Sequence, residues 1–327
     1  MQLYPMLFQP VFKDYMWGGM RLENFGRDLP EHTRIAESWE ISAHEDGMTI
    51  VENGIYAGKT LQSVLDLLGE DLIGTRNKWA LEKGKFPLLV KLLDAHEKLS
   101  VQVHPGDAYA QEHEHGELGK TEMWVVLDAG PGAAVIFGLS EKVNREELRA
   151  AIANGSVEIF FHKVPISRGD HICVPAGTLH AILAGAVITE IQQNSNVTYR
   201  VFDWNRVDEN GKARTLHIDQ ALDVINYDQV ALSLTEPEII DSNKDFVRQR
   251  LCQNPTFTTE RFLMQPGGIY TGLCDGSSLE IWGLLQGEAS VAGQPLSAVQ
   301  YVLLPARMGP FEVHASDCAV LLRVFAG

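Results

Sequence analysis

Several things are scarce in this 327-residue chain, and each scarcity removes a class of function. Positive charge is short: 27 lysines and arginines stand against 43 aspartates and glutamates, for a formal net charge of −16. A phosphate backbone needs a basic face, so no nucleic-acid partner is expected. A small phosphorylated ligand needs only a few local cations and stays open. No stretch of 18 residues is apolar throughout, so no membrane span is expected. The opening MQLYPMLFQPVFKDYMWGG lacks the basic segment and long apolar run of a signal peptide, which points to the cytoplasm. Cysteine is sparse as well. Cys173, Cys252, Cys274 and Cys318 include no CxxC pair, and reduced, unpaired thiols are the expectation for a cytoplasmic protein.

What is present is ordinary soluble-protein composition, 45% apolar and 21% charged, in a chain long enough for about two domains. Short β segments dominate. LFQPVF and MTIVEN read as strands, Trp17-Gly18-Gly19 as a tight turn, and IAESWEIS as a strand with Glu37, Trp39 and Ile41 on one face. There Glu37 and Glu40 read as solvated strand charges. Helices are predicted over 60–72, with Thr60 as cap and Gly69 as stop, over 107–116, over 140–155, and over 216–226 with Ile218, Leu222 and Ile225 on one stripe. FPLLVKLLDA is an apolar strand interrupted by Lys91, which either faces a cavity or reaches the surface. VITEIQQ and VTYRVFDW read as two more strands. From about residue 245 short strands and Gly/Pro turns return, the pattern of a small barrel or jelly roll. The β-rich regions 86–205 and 245–327 read as two copies of one barrel type.

The densest chemistry lies in 98–126. LSVQVH alternates, so Leu99, Val101 and Val103 face one way and Ser100, Gln102 and His104 the other. Gln102 and His104 then sit about 6–7 Å apart along the strand, close enough to grip one ion. Glu122 follows in TEMWVVL, and His180 ends Gly169-Asp-His-Ile-Cys-Val-Pro175-Ala-Gly177-Thr-Leu-His180. Imidazole nitrogen and carboxylate oxygen suit zinc, and inward positions from several barrel strands can meet. We therefore expect Gln102, His104, Glu122 and His180 to converge on one metal. His113 and His115, two residues apart on a helix, cannot share its face and are expected to be exposed.

The spacing Gly169-x5-Pro175-x-Gly177-x2-His180 matches the second signature of the cupin β-barrel. Gln102-x-His104 with Glu122 resembles the first, glutamine replacing its first histidine. LSVQVHP, GKTEMWVVLDA, VPAGTLHAI and QQNSNVTYRVFDW resemble the type I mannose-6-phosphate isomerases in their short bacterial form, and the likeness runs from WGG and AESWEIS to about residue 225. Ala184 stands where the cupin pattern has asparagine, which touches no ligand.

The resemblance implies a mainly β fold with some helices, made of two cupin-type barrels (jelly rolls). Residues 1–230 would form the catalytic, metal-binding barrel with helical insertions, and 231–327 a degenerate barrel without metal, where His314 stands alone. It also implies one Zn2+ per chain on Gln102, His104, Glu122 and His180, and interconversion of mannose 6-phosphate and fructose 6-phosphate through an enediolate. Arg200, Lys120 and Glu190 match catalytic positions, while Lys91 and Ser100 match positions lining the pocket. A zinc-bound water competes with Glu190 as base. Asp203, Trp204 and Tyr199 read as packing residues. The partner expected is a small phosphorylated sugar, and monomer and homodimer both fit. Two other functions compete: another metal-dependent cupin enzyme such as an oxygenase, and a non-catalytic sugar-phosphate sensor on the same fold.

Overall fold

A computed structural model describes residues 3–208 and 210–327 of the chain. Most of it is built on four antiparallel sheets. The first runs, in spatial order, His171–Val174, Glu122–Ala129, Ala186–Gln193, Leu88–Ala95, Glu37–Ile41 and Val11–Lys13. The second runs Phe161–Pro165, Ala134–Leu139, His180–Ile182, Val101–Val103 and Tyr199–Phe202. The third runs Glu238–Ser242, Phe246–Gln253, Phe257–Met264, Ala319–Ala326, Glu280–Gln286 and Gln300–Leu304. The fourth is the four-stranded Ile269–Cys274, Gly309–Ala315, Ala289–Val291 and Gln294–Leu296. No helix is long and apolar enough to cross a membrane.

Strand alternation sorts apolar side chains into separate cores. Leu93, Trp124, Val126, Ile172 and Ile188 of the first sheet meet Val135, Phe137 and Ile182 of the second. Phe262, Trp282, Leu284, Val302 and Leu321 of the third meet Val291, Phe311 and Val313 of the fourth. The opposite faces of the first and third sheets join in a larger core, where Val90, Leu92, Met123, Val125 and Ile191 pack with Leu251, Phe257, Ile281, Leu303 and Leu322. The outer face of the second sheet, through Val101, Val103, Ala181 and Val201, is covered by the helices Arg145–Asn154 and Ile218–Val224.

Several local expectations need revision. The helix predicted over 60–72 is two pieces, Leu61–Leu68 and Glu70–Ile73, because Gly69 at φ 51° breaks it after one amphipathic face is buried. Thr60 caps its start by accepting from Ser63 N at 3.1 Å. The helix expected over 140–155 begins at Arg145, since the Asn144–Glu147 capping box fixes its first turn. The helix expected from residue 107 ends at His113. In the 37–41 strand, Trp39 pairs with Lys91 but Ile41 with Val90, so a bulge at Glu40 sends Ile41 to the opposite face from Trp39. Glu37 and Glu40 are buried rather than solvated, and Glu40 is held by Arg27 at 2.7 Å. The expectation of unpaired thiols holds for Cys274 and Cys318 but fails for the other two cysteines. Cys173 of the first sheet and Cys252 of the third are disulfide-bonded with Cα atoms 5.8 Å apart, because the two sheets pack back to back there.

Candidate active site

The strands deliver the four expected ligand residues to one place by register. His180 pairs directly with Gln102, Arg200 pairs with Gln102 from the other side, and Glu122 opens the strand that pairs with 186–193. The turn before His180 depends on Gly177. Its φ of 86° suits glycine, a Cβ there would meet Val224 O at 2.9 Å, and its N–H donates to His104 O at 2.9 Å. That bond ties the turn to the end of the 101–103 strand.

His104, Glu122 and His180 are each 1% exposed, and ligand atoms from all three lie within 4.8 Å of one another. Among the described residues this is the one group of three such side chains able to hold a metal ion. His104 Nε2 is 3.1 Å from Glu122 Oε1, and His180 Nε2 is 3.7 Å from Glu122 Oε2. The Gln102 amide reaches the same point, 3.4 Å from His180 Nε2.

The donor set fits a dication. Both imidazoles place Nδ1 against a backbone carbonyl, His104 at Val197 O and His180 at Thr178 O, each 2.8 Å away. An N–H donated there leaves both Nε2 lone pairs directed into the cluster, the arrangement that orients metal-binding histidines. Burial, reinforced by Lys120, pushes the His104 imidazole down to about 3, and burial lowers His180 as well, so both rings are neutral. Glu122 is raised by burial, but the Lys120 ammonium outweighs it and holds the carboxyl well below its usual range. Trp124 Nε1 donates to Glu122 Oε2 at 3.0 Å, while buried Oε1 lacks a well-formed hydrogen bond and faces a positive group, Lys120 Nζ, at 2.6 Å.

In front of this cluster lies a cavity of ≈ 280 Å3, lined by Lys91, Ser100, Gln102, Lys120, Glu190 and Arg200 among others. Lys91, whose placement the sequence left open, is buried inside it. Its Nζ is 3.0 Å from Glu190 Oε1 and 3.5 Å from Glu37 Oε2. Burial alone would lower that lysine, yet the carboxylates around it raise it above its usual value, so it stays charged. Glu190 is pushed up to about 7 by burial and by Glu122, against the pull of Lys91 and Lys120. Arg200 has no carboxylate partner within 4.0 Å among the described residues. Its Nη1 donates to Thr215 O at 2.8 Å and its Nε to Ser100 Oγ at 3.3 Å. A half-buried guanidinium without a counter-ion can receive an anion.

Comparison with known proteins places this architecture. A sequence profile for phosphomannose isomerase type I, catalytic domain, matches residues 6–124. The mannose-6-phosphate isomerase ManA of Bacillus subtilis is 34% identical over 97% of this chain and 98% of its own length. The chain belongs to the type I phosphomannose isomerase family. Within the family, the mannose-6-phosphate isomerase of Streptococcus mutans is 46% identical over 68% of this chain and 67% of that protein. The crystal structure of the Bacillus subtilis mannose 6-phosphate isomerase superposes with a TM-score of 0.86, covering 98% of this chain and 99% of that one at 34% identity. A phosphomannose isomerase variant from Salmonella typhimurium shares the fold, with a TM-score of 0.78 at 16% identity over 98% of this chain and 99% of that one.

All nine site residues singled out from the sequence therefore meet: six line the cavity and three pack behind it. His113 and His115 are exposed, as expected. The cavity also contains residues the sequence did not single out, including Tyr15, Glu37, Asn196, Thr198 and Arg214. Glu37 carried a usable signal. It shares a strand face with Trp39, whose Nε1 donates to it at 2.7 Å, and that face is opposite Lys91. Arg214 sits in an irregular loop and is placed by Asp203, which accepts from its Nε at 2.8 Å. No sequence period marks it.

Proposed function

We propose that this chain interconverts mannose 6-phosphate and fructose 6-phosphate as a zinc-dependent aldose–ketose isomerase. In this reading each facing pair of sheets is a cupin-type barrel, residues 1–230 forming the catalytic unit and 231–327 a second barrel without a metal of its own. One observation carries the assignment of function. A neutral, carbonyl-anchored histidine pair and a charged glutamate lie directly behind a cavity whose own carboxyl, Glu190, is poised near neutrality.

Gln102, His104, Glu122 and His180 would hold the zinc. When bound, it supplies Lewis-acid charge for the oxygens of the enediolate. The remaining steps belong to the protein. Glu190 takes the proton from one of carbons 1 and 2 of the open-chain sugar and returns it to the other while a hydroxyl proton passes between oxygens 1 and 2, and the carbon transfer suits a group titrating near 7. Lys91 Nζ lies 3.0 Å from Glu190 Oε1, and Lys120 Nζ 4.0 Å from the same oxygen. Lys120 also brings positive charge to the enediolate. Arg200 and the Ser100 hydroxyl bonded to it face the anionic substrate.

The test is fructose 6-phosphate formation from mannose 6-phosphate in a coupled assay, with wild-type protein, chelator-treated protein and protein reloaded with zinc. Activity should vanish on chelation and return with zinc, and His104→Ala and His180→Ala should lose zinc and turnover together. A zinc-loaded protein without turnover, or a His104→Ala variant that keeps both, would overturn the assignment. Iron in the site with oxygen uptake would favour an oxygenase instead.

A further inference from the structure

The back-to-back junction of the first and third sheets opens at one edge into a cleft of ≈ 420 Å3. Its walls are aliphatic, with Val125 and Leu127 on one side and Leu263 and Leu285 on the other. Two arginines, Arg168 and Arg261, stand in the same cleft. Among the described residues neither has a carboxylate within 4.0 Å, although Asp170 is two residues from Arg168, because Ser167 N–H donates to Asp170 Oδ2 at 2.7 Å and turns it away.

Arg261 is the unusual one. Its Nε donates to Gln249 Oε1 at 2.8 Å and its Nη1 to Gly169 O at 3.0 Å, while Nη2 has no protein partner among the described residues. Every other arginine in the described residues that is at least partly buried has a carboxylate within 4.0 Å, with one exception, Arg200 in the cavity already described. Removing a guanidinium from water without a counter-ion is unfavourable, and burial accordingly lowers Arg261 with no charged group opposing it. A second orphan lies nearby. His171 is 4% exposed, its Nε2 is buried without a partner, and its cross-strand neighbour is Val125 of the cleft wall, so both face the junction. Burial lowers the His171 ring and Arg261 depresses it further, against the opposing charges of Asp170 and Glu236.

We propose that this cleft is a second binding site, for a small amphipathic organic anion. A phosphate or carboxylate head docks on Arg261, with Arg168 at the mouth, and an apolar body lies against Val125, Leu127, Leu263 and Leu285. The sugar phosphate of the isomerase reaction is a poor occupant, because its hydroxyls would face aliphatic walls without partners. An inorganic anion alone would leave those walls wet. The combination of apolar walls with a few convergent polar groups is that of a small-molecule site.

The probes are phenyl phosphate and phenylacetate, titrated by calorimetry into the zinc-loaded full chain in the presence of saturating mannose 6-phosphate. Inorganic phosphate and benzyl alcohol serve as head-only and body-only controls. One or both aromatic anions should bind at one site per chain, at least tenfold tighter than either control, and the stronger of the two identifies the head group. Arg261→Gln should weaken that binding at least tenfold and the exposed Arg168→Gln by a smaller factor, with kcat/KM for mannose 6-phosphate unchanged in both. The proposal is overturned if neither anion binds, if sugar phosphate displaces it, or if binding survives in Arg261→Gln. Should Arg261→Gln fail to fold, Arg168→Gln decides: full retention of binding there overturns it.

Discussion

At the scale of single residues, the proposed reaction rests on how two carboxyls that share Lys120 as a neighbour are driven in opposite directions. Glu122 is held ionised by Lys120, and Glu190 is pushed up to about 7 by burial and by that same Glu122 charge. A base must be ionised to accept a proton, so kcat/KM should fall as pH drops below the Glu190 value. A dication at Glu122 cancels part of the repulsion that raises Glu190, which puts the acid limb of the zinc-loaded enzyme below 7, not above it. A pH–rate profile on metal-loaded protein checks the sign. Glu190→Gln should lose about 10²–10⁴ of the rate, keep its zinc, and show no such limb in what remains. A profile flat down to pH 5 would remove Glu190 as the base. Arg200→Ala should also keep its zinc, since Arg200 bonds only Ser100, Thr215 and backbone near His217, and should lose most turnover. Wild-type kcat in that variant would take Arg200 out of the mechanism.

At the scale of elements, one device recurs at three strand starts. Glu37-Ser-Trp39, Glu122-Met-Trp124 and Glu280-Ile-Trp282 each begin a strand, and in each the indole Nε1 donates to the carboxylate two residues earlier, at 2.7, 3.0 and 2.8 Å. Strand alternation puts both side chains on one face, so the indole fixes the carboxylate while leaving it an oxygen free. At Glu122 the free oxygen meets His104 and Lys120, and at Glu280 it meets the Arg323 guanidinium, whereas at Glu37 Lys91 approaches the indole-bonded oxygen itself, at 3.5 Å. Trp124→Phe keeps the ring against His180 but removes the N–H, so zinc affinity should drop about 10–100-fold in a chelator competition. Trp282→Phe, the same change on the third sheet, should leave zinc affinity unaltered. Equal effects of the two would show that Trp124 acts only through general stability. Alternation is also what made much of the site readable from sequence: Gln102 and His104 share a face because they are two apart, and Gly-Pro-Gly-His spacing exposed His180. The bulge that turns Ile41 away, the loop that brings in Arg214 and the Cys173–Cys252 bond depend on which strand lies beside or behind another, which no local period encodes.

At the scale of the whole molecule, the strands carrying Glu122, Lys91 and Glu190 present their chemistry on one face and depend on the third sheet behind the other. Leu88, Val90, Leu92, Met123, Val125, Val187 and Ile191 are buried in the core shared with Leu251, Phe257, Ile281, Leu303 and Leu322. Polar ties cross the same junction. Met6 and Leu303 exchange backbone hydrogen bonds at 2.9 and 3.0 Å, and Thr189 Oγ1 lies 2.6 Å from Tyr301 Oη. Exposing seven large apolar side chains at about 1.5–3 kcal/mol each removes roughly 10–20 kcal/mol. That meets or exceeds the stability of an ordinary domain, about 5–15 kcal/mol. Residues 1–230 contain every proposed ligand and catalytic group, yet a chain ending at Val230 should not form a folded monomer, and should bind no zinc and show no turnover even in excess metal. Far-UV circular dichroism, size-exclusion chromatography and the isomerase assay on that fragment give the answer. A soluble, cooperatively folding fragment with activity would mean that the first two sheets are self-sufficient and that the shared core contributes far less than its buried area implies.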